Sequence, residues 1–397
     1  MDYTNLAPNQ DVDENGLVFD VDSLYAFLAK VRDTRKHKGK RYSLVSLLIL
    51  MLLAKLGGED KPSGITDWVA ERKDQLIALK VLQRDQAPCH MTYRRVLQEI
   101  MDAQEFDTLI GQYHQQRLDE EQEIVLTMDG KTLRGTIPSG ELRGTHLLTV
   151  YVPQQGLVLV QAQVERKENE ITVAPQVLNQ VNLSGAIVIG DAMHTQREIS
   201  RQVVEAGGDY IWFVKANQPR THWAIEKLFV HEVCNLKQGA PLSKEVRMLS
   251  KVSKGHGRIE TRTLLVSTLL NDYLDWPHVA QVFRLERIVW RNNYKGKTRQ
   301  VVYGLTSLAP QKARPNRLLS LTREYWGIEN GLHYRRDVTL HEDATRLTVG
   351  QAGRNMAILN NLIIGLCLRH KLKNLAQARR RFCARPEKAL ELLLAVQ

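Results

Sequence analysis

Cysteine is scarce: four in 397 residues, at Cys89, Cys234, Cys367 and Cys383, with no CxxC pair. Spacings this wide argue against a zinc ribbon or a disulfide framework and fit a reducing cytoplasm. Long hydrophobic runs are also lacking. The most apolar run, Leu44 to Leu56, is too short to span a bilayer and predicts a buried helix, so no membrane partner is expected. The N-terminus has no basic stretch leading into an apolar one, and no signal peptide is expected. Low-complexity tracts and internal repeats are absent. Acidic residues are in deficit, 44 against 55 Lys and Arg, for a net charge of +11. That excess points to a polyanionic partner without identifying it. The remaining composition, 43% hydrophobic and 25% charged, excludes a disordered chain.

The length suits two or three domains. Residues 1–20 are polar and predict a frayed, disordered terminus. Residues 21–115 predict a helical N-terminal domain. Leu24, Phe27, Leu28 and Val31 recur at i, i+3, i+4, i+7; Leu44 to Leu56 is a second helix, and Ile65 to Leu82 and Thr92 to Ile100 are two more. Thr92-Tyr93-Arg94-Arg95-Val96 reads as a core helix in preference to a recognition helix. The pattern changes at Glu123. Ile124 to Met128, His146 to Val152 and Leu157 to Val164 read as three strands, the last two joined by Pro153-Gln154-Gln155-Gly156. Then come a helix (Val173 to Val181), a strand (Ala186 to Ile189), a helix ended by Gly207-Gly208, and a strand (Tyr210 to Val214). Residues 217–310 read as a strand-rich insertion. Helices around Leu318 to Arg335 and over Asn355 to Leu368 follow, and 371–397 read as a basic tail.

Asp129 ends the first of these strands and Asp191 ends the fourth. In a ribonuclease-H-like order the first and fourth strands are neighbours, so the two carboxylates would face each other. A buried strand ending in an unpaired Asp is costly unless something compensates the charge, and a divalent cation does so. Two such carboxylates plus a third from a following helix can hold two hard cations. Cations about 3.5–4 Å apart clamp the attacking and leaving oxygens of an in-line phosphoryl displacement. Each Asp alone could equally cap the turn after its strand. The third carboxylate is open among Glu329, Asp337, Glu342 and Asp343. On a helix, Tyr325 and Arg336 would share the face of Glu329, letting the cation meet a phosphate.

Asp129-Gly130-Lys131-Thr132-Leu133-Arg134-Gly135 resembles the first-Asp motif of the H-repeat-associated family of DDE insertion-sequence transposases. Gly190-Asp191-Ala192-Met193-His194-Thr195-Gln196 resembles the second, continued by Gly207-Gly208-Asp209-Tyr210 and Lys215-Ala216-Asn217-Gln218. Tyr325-Trp326-Gly327-Ile328-Glu329-Asn330-Gly331-Leu332-His333, with Asp337-Val338-Thr339 and Glu342-Asp343, resembles the third-carboxylate region. Asp33-Thr34-Arg35 and Gly39-Lys40-Arg41-Tyr42-Ser43-Leu44 resemble the helical domain that precedes the core. The likeness runs from about residue 20 to 370. It implies an α/β, ribonuclease-H-like catalytic core over 120–370, DNA transposition, two Mg²⁺ ions with Mn²⁺ substituting, and Asp129, Asp191 and Glu329 as the triad. The wider superfamily carries Tyr and Arg seven and four residues before the Glu and Lys seven after it; Thr322, Tyr325 and Arg336 stand there in this chain.

Lys131, Arg134, Lys215, Asn217, Lys254, Arg258 and Arg336 are the candidate DNA contacts. Lys251, Lys254, His256, Arg258 and Arg262 around Gly255 and Gly257 read as a flexible basic loop suited to a DNA backbone, and the C-terminal Arg and Lys residues as a further contact. His194 reads as a helix-cap residue. Expected partners are element ends, target DNA and a second copy of the chain on DNA. A stand-alone metal nuclease and a non-catalytic DNA-binding descendant of a transposase are the competing functions.

Overall fold

The computed structural model describes residues 6–36, 38, 40–119, 122–165, 168–255, 257–291, 296–372 and 374–395. Gly39, His256 and Lys373 lie outside the described residues. The chain opens with a hairpin, β1 (Gln10–Val12) and β2 (Val18–Asp20). The expectation of a frayed terminus fails over this part. The Asp13 carboxylate accepts from the amides of Asn15 and Leu17 and from the Tyr25 hydroxyl, tying the turn to the first helix.

Six α-helices and one π-helical turn follow: α1 (Leu24–Leu28), α2 (Leu44–Leu56), α3 (Pro62–Glu71), α4 (Lys73–Ala78), α5 (His90–Arg95) continued by the π turn Val96–Ile100, and α6 (Ala103–Gln115). The single helix expected over Ile65 to Leu82 is broken at Arg72. α2 is capped by Ser43 and buried along nearly its whole length, which explains why it is apolar on every side.

Next come β3 (Val125–Thr132), β4 (His146–Val152), β5 (Leu157–Val164), α7 (Glu170–Leu178), β6 (Ile187–Gly190), α8 (Arg197–Glu205) and β7 (Asp209–Val214). The segment after β7, expected to be strand-rich, begins with a 19-residue helix, α9 (Pro219–Lys237). Its strands are β8 (Val246–Gly255), β9 (Arg258–Ser267), β10 (Gln281–Arg291) and β11 (Gly296–Thr306). The chain closes with α10 (Pro315–Ile328), two π-helical turns (Glu329–His333 and Arg335–Thr339), α11 (Ala352–Arg369), α12 (Leu375–Ala384) and α13 (Pro386–Leu394). Among the described residues, no helix is long and apolar enough to cross a membrane.

One nine-stranded mixed sheet runs in the order β5-β4-β3-β6-β7-β11-β10-β9-β8. β3, β6 and β7 are mutually parallel, and the other pairings are antiparallel. The inserted strands therefore extend the central sheet, because β11 pairs with β7. α10 sets Leu318, Leu319 and Leu321 against Ile187, Ile189, Ile211 and Phe213 on one face. Val173, Val177, Ile199, Val203, Ile225 and Phe229, from the helices α7 to α9, cover the other.

The presumed basic tail is α12 and α13, packed into the N-terminal helical core. Phe382, Leu390 and Leu393 join Leu47 and Leu50 there, each buried apolar side chain contributing about 1.5–3 kcal/mol. Arg379, which sequence alone places on an exposed basic run, is buried and donates to Asp60 at 2.7 Å.

Candidate active site

The register of β3 against β6 sets the site. The two are parallel and pair Met128 with Gly190, so Asp129 and Asp191 are the next residue on each chain. β6 ends at Gly190, whereas β3 continues to Thr132 because β4 keeps pairing with it, Asp129 opposite Thr149. Asp129 therefore lies inside its strand and not at its end. Beyond Gly190 that side of β3 has no strand partner, and both carboxylates flank the crevice this opens at the carboxyl ends of parallel strands. Gly190 is required by packing: a Cβ there would stand 2.8 Å from the Trp212 ring and 3.0 Å from the His194 Cβ.

Asp191 is held firmly. Its Oδ1 accepts from the Met193 amide at 2.8 Å and lies 3.0 Å from His194 Nδ1. Burial raises its affinity for a proton, but His194 and the two amides outweigh this and keep the carboxyl below its ordinary range. His194 is fully buried between Asp191 and Glu170, its Nε2 3.1 Å from Glu170 Oε2. Burial opposes its charge, yet the two carboxylates win and push it up to about 9. Glu170 in turn meets His146 at 2.8 Å. Against the cost of burial, the two imidazoles bring Glu170 down to about 2.

Gly130 leaves room for this carboxylate, since a Cβ there would fall 2.1 Å from Glu170 Oε1. Gly130→Ala is accordingly expected to displace Glu170, disturb His194 and Asp191, and lower the activity of this site about 100-fold. The check is single-turnover activity beside a thermal melt; wild-type activity in a folded variant would show that Glu170 does not matter.

Glu329 is exposed at the end of α10, and its carboxylate makes no hydrogen bond or ion pair among the described residues. It comes together with Asp129 and His333: one donor atom from each of the three lies within 4.8 Å of the others. Asp191 is outside that group. Tyr325 packs on Phe213 at 5.1 Å between centroids. Burial first, then the negative charges of Asp129, Asp191, Glu170 and Glu329, hold its phenol far above the ordinary range.

The other three candidates for the third carboxylate are engaged elsewhere. Asp337 receives Lys131 Nζ at 2.6 and 2.7 Å. Glu342 is buried against Arg336. Asp343 accepts from the Arg134 amide at 3.0 Å.

Arg336 was expected to share the face of Glu329 and meet a phosphate, but it is fully buried. The two π turns explain this. An i→i+5 turn rotates less per residue than an α-helix, so seven residues no longer return to the same face. Lys131 is buried in its pair with Asp337, and Asn217 Nδ2 donates to the carbonyl of Ala192, bracing the Asp191 turn. Lys131 is therefore not free for DNA, whereas Asn217 remains exposed. Arg134, Lys215 and Lys254 are exposed and Arg258 is half-buried. The basic loop is a regular hairpin: Lys254 and Arg258 lie on β8 and β9, with Gly255 paired to Arg258. Beside Asp191, a cleft of about 430 Å³ is lined by Lys215, Arg262, Arg287, Arg323 and Trp326.

Sequence reasoning passed over Glu170 and His333 and read His194 as a helix cap, whereas Gln196 caps α8 and His194 is the buried link between Asp191 and Glu170. His333 had a signal, since i+4 from Glu329 is a same-face spacing. Glu170 had none, because its link to His194 crosses from the start of α7 to the turn after β6.

Residues 120–366 match the family described as "Transposase DDE domain", and residues 25–114 match "DDE_Tnp_1-associated". The chain is 27% identical over 352 residues to "Putative transposase YncI" of Escherichia coli O157:H7, covering 87% of each. It is 26% identical over 360 residues to "H repeat-associated putative transposase YhhI" of Escherichia coli strain K12, covering 88% of this chain and 91% of that one. Among solved structures, "Cryo-EM structure of piggyBac transposase synaptic complex with hairpin DNA (SNHP)" matches at a TM-score of 0.41 and 12% identity, over 94% of this chain and 77% of that one.

Proposed function

Because the chain belongs to the Transposase DDE domain family, we propose that it cleaves DNA at insertion-sequence ends and joins the freed 3′-OH to target DNA. The catalytic core is ribonuclease-H-like on this reading. In favour of it is the order of the sheet's first five strands, third-second-first-fourth-fifth, with only the second antiparallel to the rest. The observation that carries the function is the Met128–Gly190 register, which sets Asp129 and Asp191 side by side at an open crevice with Glu329 brought over it.

The donor set fits divalent cations. Asp129 and Asp191 are partly exposed carboxylates, and Glu329 is exposed and otherwise unengaged. Oxygen donors of this kind suit Mg²⁺ or Mn²⁺. Two bound cations would polarise the scissile phosphate and neutralise the charge that develops during in-line displacement. Asp129, Asp191 and Glu329 would hold these cations. His194 and Glu170 keep the Asp191 carboxylate ionised and oriented. Lys215, Arg134, Lys254 and Arg258, with the arginines of the cleft, attract the phosphate backbone. In the first step water attacks phosphorus and the 3′-oxygen leaves with a proton. In the second that 3′-OH attacks a target phosphodiester, a new P–O bond replaces the broken one, and the target's own 3′-OH is released.

The test is incubation of the full chain with Mg²⁺ and the DNA flanking its own reading frame, with and without a target duplex. Joined products are expected; cleavage without joining would make the protein a nuclease only. Affinity for DNA is expected to fall steeply with salt, by about 0.9 in the log–log slope for each phosphate neutralised. Fluorescence anisotropy over a salt series reads this, and a flat response would remove the basic surface from the account.

A further inference from the structure

His333 has no part in the three-carboxylate reading, and its position is chemically costly. Its side chain is 6% exposed, and neither ring nitrogen has a hydrogen-bond partner among the described residues. Only the Asp129 carboxylate, 3.3 Å from Nε2, offsets part of the hydration that this buried imidazole loses. The imidazole is held there by its neighbours: Leu332 is fully buried beside it, and the π turn Glu329–His333 joins it to the exposed glutamate. π turns inside helices recur at functional sites.

The surroundings say what would satisfy it. His333 Nε2 lies 3.3 Å from Asp129 Oδ2, and a Glu329 oxygen completes a group within 4.8 Å. Donors bound at right angles to one cation, each at about 2.1 Å, stand about 3 Å apart, and donors on opposite sides about 4.2 Å apart. The 3.3 Å between His333 and Asp129 falls inside that range, and the 4.8 Å bound on the whole group lies slightly outside it, so a small inward shift of Glu329 would let one ion meet all three. Resting on the reading of Asp129 and Glu329 as metal ligands, we infer that His333 is a nitrogen ligand to the same cation. The site is then a mixed nitrogen–oxygen one. Mg²⁺ prefers oxygen donors, whereas first-row transition ions accept imidazole, so this position favours Mn²⁺ over Mg²⁺.

The experiment uses the full chain and Mn²⁺ alone, with binding counted by continuous-wave EPR and ligation read by pulsed EPR. Wild type is expected to bind Mn²⁺ stoichiometrically with a directly coupled nitrogen. That coupling should change its isotope pattern when the 12 histidines are ¹⁵N-labelled. His333→Gln should lose the coupling, and its Mn²⁺ affinity should drop roughly tenfold or more, with a smaller loss for Mg²⁺. Should His333→Gln fail to fold, the labelled wild type still decides between nitrogen and oxygen ligation. Stoichiometric Mn²⁺ without nitrogen coupling, lost in Asp129→Asn, would overturn the histidine ligand and leave the carboxylate site standing. Absence of stoichiometric Mn²⁺ in wild type would overturn both.

Discussion

Asp129→Asn, Asp191→Asn and Glu329→Gln are each expected to lower single-turnover DNA cleavage by about 1,000-fold or more, or about 4 kcal/mol in the barrier, while DNA binding stays within a few-fold of wild type. The three changes remove a charge and keep the shape. Asp191 accepts hydrogen bonds from backbone amides, and an asparagine oxygen can still accept them. The Glu329 carboxylate has no hydrogen-bond or ion-pair partner among the described residues to lose. The structure should therefore survive and the charge that holds cations should not. The basic surfaces that meet phosphate lie on other residues, so binding is preserved.

The rival carboxylates behave differently on this account. Asp343→Asn keeps its acceptor for the Arg134 amide and should retain cleavage. Asp337→Asn frees Lys131 from its only ion pair among the described residues and should reduce cleavage without abolishing it. All the variants can be compared in Mg²⁺ and in Mn²⁺, with binding measured alongside. A dead Asp337→Asn beside an active Glu329→Gln would transfer the third ligand to Asp337.

Most of what the site needs was legible in the chain. Ile124 to Met128 and Ala186 to Ile189 are short, β-branched and apolar, the mark of strands buried on both faces; the first runs straight into Asp129 and the second reaches Asp191 after Gly190. The motifs around those residues resembled H-repeat-associated transposases, and the comparisons bear that out over most of the chain. Long-range partners were not legible. Apolar periodicity says that Leu44 to Leu56 is buried but not what buries it, and part of the answer is α12 and α13, more than 300 residues later. The charge run along 369–385 read as a basic DNA contact because the Arg379–Asp60 pair, which buries one of its arginines, spans the same distance. The π turns were invisible for a different reason. Sequence spacing assumes a constant 3.6 residues per turn, and a local change in pitch re-phases every residue after it.

That re-phasing leads to a second large effect, on stability. Arg336 Nε lies 3.0 and 2.9 Å from the two Glu342 oxygens, and Nη2 is 2.8 Å from Oε2. Arg336 Nη1 donates to Gln161 at 3.2 Å, and Asn360 donates to Glu342 at 2.9 Å. Both charged side chains are essentially sealed from water. The network thus ties the π turn Arg335–Thr339 to β5 and to α11. Removing one partner leaves an uncompensated buried charge, which costs about 3–5 kcal/mol. Glu342→Gln and Arg336→Met are each expected to lose that much, read as a drop in the denaturation midpoint of the full chain.

Replacing both partners by apolar residues of similar volume, Arg336→Met with Glu342→Leu, should recover most of the loss, because the pair's attraction mainly offsets its own desolvation. The same set separates a structural arginine from a DNA contact. In a folded Arg336 variant the salt dependence of DNA binding should keep its slope, since no phosphate contact has been removed. Cleavage should still fall, because the turn this network anchors follows directly on the one carrying Glu329 and His333. A slope lowered by about one with stability unchanged would instead return Arg336 to the DNA surface.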